Sequence, residues 1–68
     1  MKRISGKQMG KVLRRHGWEL DHVTGSHHVF KKAGEVRLIS VPVHGNKTLK
    51  KGTQAGIIKQ AGLKDSDL

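Results

Sequence analysis

The sequence predicts an α+β domain built as a helix, a three-stranded antiparallel sheet and a second helix, with both helices on one face of the sheet. Three observations predict it. Met9, Val12 and Leu13 recur at helical spacing behind a helix-start signal. Residues 18–41 are rich in alternating and β-branched residues and are broken by two glycine-bearing turns. Ile57, Ile58 and Ala61 form a second helical apolar face that Gly62 closes.

Each element follows from local chemistry. Ser5-Gly6-Lys7-Gln8 fits a capping box, in which the Ser5 hydroxyl and the Gln8 amide satisfy free backbone donors. The first helix is expected over 5–16, with Gly17 at its left-handed stop. Residues 18–23 read as the first strand, 24–26 as a turn and 27–32 as the second strand. Ala33-Gly34-Glu35 is expected to form a tight hairpin turn. Val36–Val41 reads as the third strand, ended by Pro42, which has no N–H for a ladder. Residues 43–46 form a loop. Thr48 is the expected cap of the second helix, with Thr53 as the rival start. Leu63 is expected to dock behind Gly62, and Asp65–Asp67 to form a short turn or fray.

A chain of 68 residues makes one domain, residues 1–68, with a modest core and marginal stability. There is no cysteine, which excludes disulfides and thiolate metal sites. No apolar run approaches the ~20 residues of a bilayer span. The basic start, Met1-Lys2-Arg3, is not followed by the apolar stretch of a signal peptide, so the expected location is cytoplasmic. The balance is 14 Lys and Arg against 5 Asp and Glu, a net +9 spread along the chain. Such an excess favours a polyanion, above all nucleic acid, through phosphate attraction and counterion release.

Five histidines stand out: His16, His22, His27, His28 and His44. Histidine moves protons near neutral pH. RNA cleavage by the 2′-hydroxyl needs a proton acceptor, a proton donor and cations around the phosphate. His27 and His28 follow Gly25-Ser26 at the start of a strand. Gly25 lets the backbone turn sharply and a phosphodiester approach closely, and Ser26 adds a hydroxyl. Adjacent strand residues point to opposite faces, so the two imidazoles should diverge. Val29 and Phe30 are both apolar, which leaves open which histidine faces the helices. His44 follows Pro42 in the loop and is a further candidate. His16 suits the dipole at the end of the first helix, and His22 reads as structural or exposed. Lys47, Lys50 and Lys51 cluster at the start of the second helix, where the dipole disfavours them. Phosphate contact and a solvated charge run compete as explanations. The histidines lack metal-ligand spacing, and no metal or cofactor is expected. Trp18 and Phe30 read as core, not as a stacking platform for bases.

The chain resembles the HicA (YcfA-like) toxin family over nearly its whole length. The resemblance rests on Gly17-Trp18, on Thr24-Gly25-Ser26-His27-His28-Val29-Phe30, on Val41-Pro42-Val43-His44, and on Lys51-Gly52-Thr53 followed by Ile57 to Leu63. It implies a fold like a double-stranded-RNA-binding domain. It also implies the toxin of a type II toxin–antitoxin system, an mRNA interferase that cleaves mRNA without the ribosome. By the same resemblance His27 is expected to be the catalytic histidine of the Gly-Ser-His motif, and a HicB-type antitoxin is expected to cover the active site. On this reading Gly25 and Ser26 shape the site, and Lys47, Lys50, Lys51 or Arg37 stabilise the phosphorane charge. Two other readings keep the same fold and charge. One is a small RNA-binding module without chemistry. The other is a protein whose basic face serves an acidic partner.

Overall fold

A computed structural model describes all residues 1–68. The order is α1 (Gly6–Arg15), β1 (Glu19–Thr24), β2 (His27–Lys31), β3 (Ile39–Pro42), α2 (Lys51–Ala61) and a 3₁₀ turn over Asp65–Asp67. The strands form one antiparallel sheet in the order β1-β2-β3. No helix is long and apolar enough to cross a membrane.

The capping box forms as expected. Ser5 Oγ accepts from the Gln8 N–H at 3.1 Å, and Gln8 Oε1 accepts from the Ser5 N–H at 3.0 Å. Gly17, at φ +91°, turns the chain out of α1. Gly62 ends α2 at φ +66°. Met9, Val12 and Leu13 of α1 share a core with Phe30, Ile39 and Val41 of the sheet and Ile57 of α2, joined by Ile4, Trp18 and Leu49. Leu63 and Leu68 pack against it. Burying these side chains is the main force holding the layers together.

Four expectations are corrected. First, the third strand begins at Ile39, not at Val36, and it includes Pro42. The β2 ladder ends at Phe30 opposite Ile39, so residues 36–38 have no partner strand, and Val36 is 99% exposed. Pro42 is tolerated because it ends an edge strand, where a missing N–H costs least. Second, the tight turn at 33–35 is only the start of a wider loop. Glu35 N–H donates to the Lys32 carbonyl at 3.0 Å, and the chain then runs unpaired to Leu38. Third, neither threonine caps α2. Its N-cap is Lys50, with no side-chain hydrogen bond. Thr48 instead bridges Ser5, and the Leu49 N–H donates to the Ile4 carbonyl at 2.9 Å. That pairing keeps the backbone extended through Lys50 (φ −63°, ψ 144°) and delays the helix. Fourth, the first strand shifts by one residue, to 19–24, and carries a bulge between Leu20 and His22.

The N-terminal segment is clamped to α2 by a fully buried side chain. Gln54 Oε1 accepts from the Ile4 N–H at 3.0 Å, and its Nε2 donates to the Lys2 carbonyl at 2.6 Å. The Arg3 guanidinium donates to the Leu49 carbonyl. As a result the starts of α1 and α2 lie side by side.

Candidate functional site

The β1–β2 turn, the end of β3 and the starts of both helices meet at one end of the molecule. Gly25, at φ +59°, takes the first central position of a two-residue hairpin turn, a conformation open to glycine. Thr24 and His27 pair across that turn. The Ser26 carbonyl accepts from the Val43 N–H at 2.7 Å, which ties the turn to the loop after β3. Gly6 lies against β3 so closely that a Cβ there would sit 2.1 Å from the Pro42 carbonyl oxygen.

The strand register separates the two neighbouring histidines. Phe30 is buried under the helices, so His28, two residues before it, faces the same way. His28 is half-buried opposite Val41 and lines a cleft with Lys7, Lys11 and Arg14 of α1. His27 is exposed on the open face of the sheet, where it pairs with Thr24 and Pro42. The expected divergence is therefore present, and His27 is the imidazole on the open side.

Pro42 connects His27 to the loop that follows. A pocket of about 330 Å³ is lined by Pro42, His44, Lys47, Thr48, Leu49, Lys50 and Thr53. It joins three of the sequence-derived candidates, His44, Lys47 and Lys50, beside the cross-strand partner of His27. Lys51 follows at the first residue of α2 but does not line the pocket. Neither helix has an acidic residue in its first turn, so no carboxylate of either first turn offsets the cations or the positive helix ends there.

Arg37 does not reach this region. It lies in the unpaired 35–38 segment, beyond the end of β2 opposite to His27. His16 caps the C-terminal end of α1 and contacts Asp67, with Nε2 3.6 Å from Oδ1. His22 is exposed and its Nδ1 lies 2.7 Å from Asp21 Oδ2. This hydrogen bond, with help from Lys31 at 3.6 Å, holds the Asp21 carboxyl below the usual carboxylate range. Trp18 and Phe30 are buried, and Lys32 Nζ sits 5.9 Å from the centre of the Trp18 ring. The sequence reading missed the α1 cations that line the cleft beside His28. Their spacing at 7, 11 and 14 was the available signal, since it puts all three on one helical stripe.

Comparison with family models matches residues 6–63 to the HicA toxin of bacterial toxin–antitoxin systems. A comparison with curated proteins returns no match. The matched span runs from the first residue of α1 to the residue after the α2 stop, and so contains the whole sheet, both helices and the cationic end. The chain belongs to the HicA toxin family of toxin–antitoxin systems.

Proposed function

We propose that this toxin is a ribosome-independent mRNA endonuclease in which His27 is the catalytic imidazole. The observation that carries this reading is the position of His27. It is exposed at the start of β2, directly after the Gly25-Ser26 turn and across the ladder from the Pro42 wall of a lysine-lined pocket.

The chemistry follows from that setting. The ribose 2′-oxygen attacks the adjacent phosphorus and loses its proton to a base. The bond from phosphorus to the 5′-oxygen breaks, and that oxygen takes a proton from an acid. The products are a 2′,3′-cyclic phosphate and a free 5′-hydroxyl. His27 serves as one of the two proton-transfer groups. Lys47 and Lys50, with Lys51 beside them, hold the phosphate and stabilise the charge that develops on it. The turn at Gly25 and Ser26 leaves room for the backbone of the RNA. Because the nucleophile belongs to the substrate, the step does not call for a metal-bound water. Recognition through phosphates and 2′-hydroxyls makes the cut weakly sequence-specific.

The antitoxin partner implied by the family is, on this reading, a HicB-type protein that covers His27 and the lysine pocket in a cytoplasmic complex. The test is incubation of the purified protein with mRNA in excess chelator. Shortened fragments ending in cyclic phosphate are expected. RNA that is shifted in a gel but never shortened would make the protein a binding module.

A further inference from the structure

The cleft between α1 and β2 lies outside the residues assigned to cleavage. Lys7, Lys11 and Arg14 line it together with His28, and the cleft holds about 210 Å³. No acidic residue borders it. Gly10, which also lines it, lets α1 lie close over Phe30, since a Cβ there would lie 3.1 Å from Phe30 Cζ. Lys7 and Lys11 also border a second depression of about 320 Å³ with Ser5, Gln8 and Asn46.

This arrangement costs stability. Lys7–Lys11 and Lys11–Arg14 are like-charge neighbours at helical spacing, which disfavours the helix. Arg14 in the last turn suits the dipole, but Lys7 in the first turn opposes it. Two glycines further weaken α1. A bound polyanion would reverse the electrostatic part of that cost. The three cations span about 10 Å along the helix axis, too far for one small anion to touch them all. The cleft also lacks the exposed apolar anchor that a protein partner would use. Its two large apolar residues are Phe30, which is buried, and Val43, which is half-buried against the core, and the exposed large apolar side chains, Met1, Val23, Val36 and Leu38, lie elsewhere. A phosphate backbone needs only charge and hydrogen-bond donors.

We propose that this cleft is a second phosphate subsite, which holds successive phosphodiesters of an RNA strand on the α1 side of β2. Lys7, Lys11 and Arg14 neutralise the phosphates, and His28 donates a hydrogen bond to a phosphate oxygen. The two histidines then divide the work: His27 acts at the scissile bond, and His28 grips the strand on the other face. The inference rests on RNA being the ligand, as proposed above, but not on its cleavage.

The experiment measures binding of a labelled single-stranded 2′-O-methyl RNA, which lacks the attacking hydroxyl, by fluorescence anisotropy across a salt series. The parent protein is compared with the Lys7→Gln/Lys11→Gln/Arg14→Gln variant. Each phosphate contact on a single strand contributes about 0.7 to the slope of log affinity against log salt, so the triple variant should lose about 2 from that slope. Lys11→Gln alone should lose about 0.7 and serves if the triple variant fails to fold. An unchanged slope in a folded variant overturns the subsite and leaves the nuclease reading standing. A reduced slope in a protein that never shortens ordinary RNA keeps the subsite and removes the nuclease. A parent that does not bind the RNA overturns both. Displacement of the RNA by polyglutamate as readily as by polyphosphate would assign the cleft to an acidic polypeptide and overturn the proposal.

Discussion

His27 and His28 are one bond apart in sequence and lie on opposite faces of β2, and that separation decides what each can touch. Their divergence was legible from the two-residue period of a strand. Its direction was not, because Val29 and Phe30 are both apolar and only packing shows that Phe30 faces inward. Gly6 is equally specific. Gly6→Ala drives a methyl into the Pro42 carbonyl oxygen, which the backbone must move to relieve. We expect a loss of about 1–3 kcal/mol, read as a fall in melting temperature. Asp21 makes a smaller, pH-dependent contribution. Its carboxyl pKa is lowered in the folded state, chiefly by the His22 hydrogen bond. The stabilisation is therefore present above the unfolded value of about 3.9 and fades as pH falls through the lower folded value. Asp21→Asn should lower the melting temperature slightly at neutral pH, and the gap from the parent should narrow as the pH falls below the ordinary aspartate value. A gap that is constant with pH would show that the carboxylate charge has no part in it.

At the scale of elements, α1 was legible nearly to the residue, because its start and stop signals are local: Ser5, Gln8 and Gly17 act within one turn of the helix. The boundaries of β3 and α2 depend on partners distant in sequence. Val36 and Leu38 have strand composition, but β2 offers them no pairing beyond Phe30. Thr48 has capping chemistry, but it is engaged with Ser5. Gln54 is invisible to periodicity, since its two partners, Ile4 and Lys2, belong to a segment some fifty residues away. Gln54→Leu leaves a buried N–H and a carbonyl without partners, and should cost about 2–4 kcal/mol by chemical denaturation. An unchanged midpoint would show that water or the chain readily replaces the amide. The contrasting change is Gly56→Ala. Nothing lies within 4 Å of a Cβ at this exposed helical position. It should raise stability by about 0.5–1 kcal/mol, several degrees in a domain of this size.

For the whole molecule, a net charge of +9 on one small domain was the plainest sign of a polyanionic partner, but composition does not say where that charge gathers. The fold supplies the location. The Ser5–Thr48 bridge and the Gln54 clamp bring the two helix starts together, and with them Lys7, Lys47, Lys50 and Lys51. The β1–β2 turn closes the same end through the Ser26–Val43 hydrogen bond. Membership in the HicA toxin family and this cationic end are the two observations behind the proposal that RNA is the substrate. The fold order and the family were readable from sequence, and His44, Lys47 and Lys50 do gather beside the cross-strand partner of His27, whereas Arg37 does not. The α1 cleft was only half readable: the spacing of Lys7, Lys11 and Arg14 was in the sequence, but the cleft exists only once β2 packs beneath that helix.

The most direct measurement compares RNA cleavage in chelator by the parent protein and by His27→Ala, with melting curves showing that both are folded. His27 is exposed, so the substitution should leave the melting temperature within a degree or so of the parent. Removing a proton-transfer group should slow cleavage by about 10²–10⁴-fold. A folded His27→Ala protein that cuts RNA as fast as its parent would contradict the assignment of catalysis to this imidazole.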